Sequence, residues 1–181
     1  MVTSTPDEPA AAPAPPAPPA APAPREHVID TVAAQTAAID ELIALAQLRL
    51  QIFDIDLAQC GWDRVARAEN LIAFLRRAPG ARLDLIVHDP RYLESACPRL
   101  RLLQQNYAHA VTIYRTGPEA RSAMDPLLLA DGRHFLHRFH IDQPRASLAI
   151  EQPQLARPLV TRFEQIWATG EPGLSATVLG L

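Results

Sequence analysis

Residues 48–56 read Leu-Arg-Leu-Gln-Ile-Phe-Asp-Ile-Asp, a short apolar run that ends in two acids. The run has the length and apolar content of a buried strand. Residues 83–89 (Leu-Asp-Leu-Ile-Val-His-Asp) and residues 127–132 (Leu-Leu-Leu-Ala-Asp-Gly) repeat this arrangement, so each apolar run leads into acid or imidazole side chains. Ligands of open α/β sheets bind outside the carboxyl ends of the strands. These polar residues therefore mark where a functional site is expected.

The order of the apolar runs predicts the fold class. Helical and strand-like segments alternate up to residue 114, and Asp131-Gly132 then gives a hairpin signal, because a type I′ turn needs positive φ at both central positions. The predicted helices are 27–46, 62–77, 90–105 (interrupted by Pro98) and 154–168, and the predicted strands are 48–53, 83–87, 111–114, 127–130, 134–139 and 146–150. This order predicts an α/β three-layer sandwich, with helices on both faces of a mixed, mostly parallel sheet.

The ends of the chain differ in composition from this domain. Nine of the 18 prolines lie in residues 1–24, and Ala10–Pro24 contains only alanine and proline. Such a segment has no large apolar side chains whose burial could offset the entropy of ordering it. We therefore predict a disordered tail at 1–24, one domain at 25–175 and a short C-terminal tail at 176–181.

Charge and composition argue against several function classes. The formal net charge is −3, so nothing favours a nucleic-acid partner or an anionic membrane surface. All 17 basic residues are arginine, which excludes chemistry that needs a lysine amine. No segment has the pattern of a signal peptide or a membrane helix. The two cysteines lack metal-ligand spacing and fit a reducing compartment, so we expect a cytoplasmic protein without membrane contact.

Three stretches resemble one repeat of the phospholipase D-like superfamily. Residues 44–53 (Ala-Leu-Ala-Gln-Leu-Arg-Leu-Gln-Ile-Phe) are similar to the segment that starts such a repeat. Residues 126–140 (Pro-Leu-Leu-Leu-Ala-Asp-Gly-Arg-His-Phe-Leu-His-Arg-Phe-His) are similar to its catalytic hairpin, and residues 149–167 to its closing strand and helix. The likeness covers nearly all of the folded part. The whole chain also resembles a small proteobacterial family of the same length.

The resemblance implies a catalytic motif from which this chain departs. Active members carry His-x-Lys-x-x-x-x-Asp, in which the His attacks phosphorus, the Lys holds phosphate and the Asp orients. Aligned on Asp131, the His position is Met124 and the Lys position is Pro126. Methionine cannot attack phosphorus and proline offers phosphate no charge, so we predict no catalytic residues of this kind. Members of the superfamily need two repeats to form one cleft, which implies a homodimer here.

The densest group of polar residues follows the hairpin turn, from His134 to Asp142. On a strand, His134, Arg138 and His140 share one face. An arginine fork beside imidazoles predicts an anion or phosphate site. Two alternatives stay open: a metal bound by His140 with His88 and an acid, or a solvated edge strand whose histidines bond to their neighbours.

Further candidates follow the other strands. His88 ends one strand, and Asp89, which precedes a proline, is expected to cap the next helix. Asp54 and Asp56 point the same way after the first strand, so repulsion would raise one pKa, unless both lie in a solvated loop. Arg115 follows the third strand as either their counter-charge or a ligand contact.

Two hypotheses about function result. The first is a non-catalytic phospholipase D-like domain that binds a protein partner or a phosphorylated or anionic ligand through the degenerate cleft. The candidate ligand contacts are Arg138, His140, His88, Asp131, Arg115 and His134. The second is a hydrolase or phosphodiesterase with a rebuilt site of His88, His140 and an Asp. We predict no cofactor and no metal. Side chains that converge in one pocket would favour a ligand site, whereas scattered side chains would favour the partner-binding form.

Overall fold

The computed structural model describes residues 22–173. The predicted tails at 1–24 and 176–181 lie outside those residues, apart from 22–24. In chain order the elements are β1 (Arg25–Ile29), α1 (Val32–Leu45), β2 (Arg49–Asp54), α2 (Val65–Arg77), β3 (Arg82–Val87), α3 (Arg91–Ala96), α4 (Pro98–Asn106), β4 (Val111–Arg115), a 3-10 turn (Pro118–Ala120), β5 (Leu127–Ala130), β6 (His134–Arg138), β7 (Ala146–Ile150), α5 (Pro153–Trp167) and β8 (Glu171–Pro172).

The strands form one mixed sheet in the order β1-β7-β6-β5-β2-β3-β4-β8. Only the β2–β3 and β3–β4 pairs are parallel, and every other pair in this sheet is antiparallel. The prediction of a mostly parallel sheet is therefore wrong. The reason is that the hairpin strands do not extend the parallel part, because β5 adds antiparallel to β2 and short connections then bring β6 and β7 alongside.

Helices cover both faces of the sheet, as predicted. Successive side chains of a strand point to opposite faces, so Leu50 and Ile52 of β2 join the core formed with α1, α2 and α4. Phe53 points the other way and joins the core formed with α5, through Phe163 and Ile166. The three-layer sandwich is confirmed.

The first predicted helix, 27–46, is wrong at its beginning. Residues 25–29 form β1, which pairs antiparallel with β7 at the outside of the sheet. The helix starts only after Thr31, whose hydroxyl accepts a hydrogen bond from the backbone N–H of Ala34 at 3.1 Å. Val28 and Ile29 continue the helical spacing, but both are β-branched and favour a strand once a partner is present.

The hairpin turns where the sequence predicted. Asp131 and Gly132 have φ values of 53° and 64°, which confirms positive φ at both positions. Because β5 is antiparallel to β2, with Ala130 opposite Leu50, this turn lies where β2 begins. We call the end of the sheet where β2, β3 and β4 begin the amino end, and the end where they finish the carboxyl end.

Candidate functional site

The six predicted ligand contacts are divided between the two ends of the sheet. Four follow strands at the carboxyl end: His88, Arg115, Arg138 and His140. Two lie at the amino end, in the hairpin turn and just after it: Asp131 and His134. The structure therefore does not bring the six into one pocket.

His88 is buried, and both of its ring nitrogens are engaged inside the protein. Nε2 lies 2.6 Å from the carbonyl oxygen of Ala123, and Nδ1 lies 2.6 Å from Oγ1 of Thr116. Because a carbonyl oxygen only accepts, Nε2 carries the proton and Nδ1 accepts from the hydroxyl. The ring also packs edge-on against Phe53, with centroids 5.1 Å apart. His88 thus joins the end of β3 to the segment between β4 and β5, and it offers a ligand no free nitrogen.

The guanidinium of Arg138 is also hydrogen-bonded to acceptors within the protein. Its side chain is buried, and Nε donates to the carbonyl oxygen of Gln143 at 2.6 Å. Nη1 donates to Oε1 of Gln59 at 2.7 Å, and Nη2 donates to the carbonyl oxygen of Ile141. The guanidinium closes the loop that follows β6, which occupies the fork that was expected to bind an anion.

Arg115 and His140 lie at the surface. Arg115 donates to Oε2 of Glu171 at 2.9 Å, an exposed pair of the kind that contributes little to stability. His140 is about half exposed, and its Nδ1 accepts a hydrogen bond from the backbone N–H of Asp142 at 3.2 Å. This leaves Nε2 of His140 for a ligand.

Asp131 has a structural role. Its carboxylate accepts hydrogen bonds from the backbone N–H groups of Gln47, Leu48 and Arg49, at 2.7, 2.8 and 2.8 Å. These are the residues that lead from α1 into β2. A turn that needs positive φ and a carboxylate that holds three amides together account for an aspartate here.

His134 is buried against Glu151. Its Nδ1 accepts the backbone N–H of Glu151 at 2.9 Å, and its Nε2 lies 3.3 Å from Oε1 of the same residue. Burial lowers the pKa of His134, although the neighbouring carboxylate acts in the opposite direction. The ring is therefore uncharged at neutral pH and fixes the end of β7 to the hairpin.

Asp89 lies one residue before the predicted place, because Pro90 is the N-cap and α3 begins at Arg91, but its carboxylate still bonds the first helical amide. Its Oδ1 accepts the backbone N–H of Arg91 at 3.0 Å, and the Arg91 guanidinium donates to both carboxylate oxygens. These bonds from Arg91 lower the pKa of Asp89 to about 2.

An open pocket of about 350 Å³ lies at the carboxyl end, in the segment where the family resemblance places the catalytic motif. Its lining consists of Ser122, Met124, Asp125, His137, Phe139 and His140. We call it the histidine pocket. It unites one predicted residue, His140, with a second imidazole and a hydroxyl that the sequence did not single out.

Asp125 and His137 form an ordered pair in this pocket. Asp125 accepts hydrogen bonds from Nε and Nη2 of Arg162, at 2.6 and 2.5 Å, and its Oδ2 lies 3.3 Å from Nε2 of His137. Burial raises the pKa of Asp125, but the bonds from His137 and Arg162 outweigh it and hold that pKa well below its usual range. Asp125 therefore stays ionised and orients the His137 ring. The sequence contained one signal for His137: alternate side chains of a strand point to opposite faces, so His137 lies on the other face of β6 from Arg138.

A second, much smaller cavity lies at the carboxyl end of β2. It measures about 30 Å³ and is lined by Asp54 and Trp62 among others, with the indole Nε1 of Trp62 buried and unpartnered. Burial raises the pKa of Asp54, and repulsion from Asp56 is the smallest contribution, so the cause is mainly desolvation rather than the predicted repulsion. This space fits about two water molecules and no larger ligand.

Within residues 22–173, no three His, Cys, Asp or Glu side chains are grouped to hold a metal ion. None of the helices in that range combines the length and apolar character that crossing a bilayer requires.

Solved structures with this arrangement of elements define the class of fold. Nuc from Salmonella typhimurium, a phospholipase D family member, matches with a TM-score of 0.59 at 12% identity, over 82% of this chain and 97% of its own. NucT from Helicobacter pylori gives 0.58 at 10% identity, over 83% and 99% of the two chains. TrmBL2, an archaeal chromatin protein with a novel mode of DNA binding, gives 0.60 at 13% identity, over 81% of this chain and 53% of its own, so this chain spans about half its length. The chain has a phospholipase D-like fold.

The family follows from the sequence. The model of a domain of unknown function, DUF7931, matches residues 31–176, which is nearly the whole folded part. The chain belongs to this family. Sequence identities of 10–13% to the solved structures show only that the fold is shared. The function proposed for this chain therefore rests on the histidine pocket.

Proposed function

We propose that this chain is a non-catalytic phospholipase D-like domain that binds an anionic or phosphorylated group, on a small ligand or a partner, through the histidine pocket. The observation that carries the proposal is the lining, in which the thioether of Met124 accompanies the imidazoles of His137 and His140. A thioether cannot attack phosphorus. Imidazoles donate hydrogen bonds to oxyanions and become cationic in mildly acid solution.

Two of the residues that the sequence predicted as anion contacts, Arg138 and His88, are not the ones that bind the anion in this proposal. Both ring nitrogens of His88 are bonded within the domain, and the buried guanidinium of Arg138 already binds three acceptors, so neither side chain is placed to bind a ligand. His140 has an unbonded Nε2, and His137 is held in place by Asp125. The scattered positions of the original six also favour the form of the hypothesis in which a protein partner carries the anion.

Phosphate should shift the ring resonances of His140 and His137 at pH 6, in a titration followed by NMR. Each imidazole N–H can donate a hydrogen bond to a phosphate oxygen, so His140→Ala should weaken phosphate binding by about tenfold. Nearby Asp142, which is exposed, limits the affinity to the millimolar range by competing for the same ring.

Two histidines serve as internal controls for this titration. His88 is buried and His109 is exposed at the amino end of β4, so neither resonance should move. Unmoved His137 and His140 resonances at millimolar phosphate would remove the pocket as an anion site. Equal shifts at His109 would show that the effect is not specific to the pocket.

A hydrolase or phosphodiesterase is the second candidate function, and one observation favours it. The hydroxyl of Ser122 lines the same pocket as the Asp125–His137 pair, which are the residue types of a nucleophile, a base and an orienting acid. Turnover of bis(4-nitrophenyl) phosphate that is lost in both Ser122→Ala and His137→Ala would promote this candidate over the non-catalytic one.

We also propose a homodimer. The resembled superfamily forms its cleft between two repeats, and this chain supplies one, with a histidine pocket that is open to solvent. Light scattering at micromolar concentration should give twice the chain mass of 19.8 kDa. A mass equal to that of one chain would contradict the proposal.

The range of candidate anions is wider than the net charge suggested. The net charge argued against a nucleic-acid partner, but that argument is not supported, because the fold also occurs in TrmBL2, which binds DNA. Phosphodiesters of nucleic acids therefore belong among the anions to be tested.

We propose the cytoplasm as the compartment, since Cys60 and Cys97 are both free thiols.

A further inference from the structure

A groove of about 920 Å³ lies at the amino end of the sheet, opposite the histidine pocket. It is bounded by the turn between α1 and β2, by the tip of the β5–β6 hairpin and by α5, and Gln51 of β2 lines it. We call it the amino-end groove. Its volume is that of pockets that hold small organic ligands.

The first observation is an unsatisfied donor in this groove. Gln51 is 3% exposed, and its side-chain Nε2 is buried without a hydrogen-bond partner. Gln51 points to the same face of the sheet as Phe53, which is the face that α5 covers. A buried amide without a partner destabilises the fold, so such a group calls for an acceptor that the described chain does not supply.

The second observation is a set of arginines around the same space. Arg49 lines the groove, and so does Arg133 at the hairpin tip, whose side chain is 52% exposed. These guanidinium groups offer more donors than their neighbours use.

The acids beside these arginines do not use all of their N–H donors. Asp84 accepts from Nε of Arg49 at 3.1 Å, and Glu151 lies 3.5 Å from Arg133. The carboxylate of Asp131 is already held by three backbone N–H groups. The neutral His134 ring adds no charge. Arg49 and Arg133 therefore keep N–H groups that the described carboxylates do not use and that can donate to a ligand oxygen.

The remaining wall is apolar. Leu45, Leu48 and Val160 line it, and Leu48 is 56% exposed. We propose that the amino-end groove binds an amphiphilic anion, with its carboxylate or phosphate on Arg49, Arg133 and the Gln51 amide and its apolar part against the leucines and Val160. Rotation of the amide about its terminal torsion brings its N–H₂ group to the ligand oxygen.

The test compares four eight-carbon probes on the full chain: octanoate, octyl phosphate, octanol and octyltrimethylammonium. Calorimetry should detect saturable binding of one or both anions at millimolar concentration and none of the neutral or cationic probe. Preference between octanoate and octyl phosphate identifies the head group. The side-chain amide resonances of Gln51 should shift with the bound anion, because that amide meets the ligand oxygen directly.

Gln51→Leu keeps the size of the side chain and removes the amide. We expect anion binding at least tenfold weaker together with an equal or higher melting temperature, since an unpaired buried polar group is lost. Arg133→Ala should weaken binding by about fivefold. Gln105→Leu, on the exposed side of α4, is a control that should bind normally. Octanol binding as tightly as octanoate, or normal binding by Gln51→Leu, would overturn the proposal.

Discussion

Replacing Arg67 with alanine should lower the free energy of unfolding by about 3 kcal/mol. The side chain is 1% exposed, and its guanidinium donates to Oδ1 of Asp40 at 2.7 Å and to the carbonyl oxygens of Cys60 and Thr36 at 2.5 and 3.0 Å. It also lies over the Trp62 ring, 5.1 Å from its centroid. Alanine would leave two carbonyls without a donor and a cavity beneath the indole. Urea denaturation measures the change.

Two variants separate the cause of this loss. Arg67→Lys keeps the charge, but a single ammonium cannot reach all three acceptors, so about half of the loss should remain. Arg157→Ala, on the exposed side of α5, should change stability by less than about 0.5 kcal/mol. Because Asp40 is partly hydrated, the expected loss lies at the lower end of the range for buried pairs. A loss below about 1 kcal/mol for Arg67→Ala would show that the arginine does not hold α1, α2 and the loop together.

Asp131→Ala should lower the free energy of unfolding by about 2–3 kcal/mol. The carboxylate holds the backbone N–H groups of three consecutive residues, and the backbone has a φ of 53°, which a Cβ without a hydrogen-bonding group disfavours. These amides are near the surface, so water replaces part of what the carboxylate supplied. Thermal and urea denaturation would give the loss directly.

Two other substitutions at position 131, to glycine and to asparagine, separate the contribution of the backbone conformation from that of the carboxylate. Asp131→Gly removes the carboxylate without the left-handed strain, so it should be more stable than the alanine variant by about 1 kcal/mol. Asp131→Asn tolerates the conformation and keeps one acceptor, so it should lose about half as much as alanine. Glycine and alanine variants of equal stability would show that the backbone conformation carries no cost.

The parts of the fold that local chemistry determines were predictable from the sequence. Apolar runs placed β2, β3 and β5, and Asp131-Gly132 placed the hairpin, because positive φ at two adjacent positions restricts the residue types. The strand β1 was missed because residues 25–29 become a strand only through pairing with β7. Periodicity within the segment does not contain that information.

The candidate site was less predictable, because the role of a polar side chain depends on distant partners. Arg138 bonds to Gln59, 79 residues away, and His88 bonds to the carbonyl of Ala123, 35 residues away. Both residue types suggested a ligand site, and both are satisfied by the protein itself. Asp125 was not singled out from the sequence, yet its contact with Arg162 of α5 makes it the residue that orients His137.

The outermost position of β1 affects how the chain is made. Glu26 and Ser147 are hydrogen-bonded at 3.3 Å although 121 residues separate them. During synthesis, β1 therefore leaves the ribosome long before β7 exists, and it cannot pair with β7 until that strand has been made. Contacts between distant segments form slowly. The edge of β1 thus stays unpaired until translation of the domain is nearly complete.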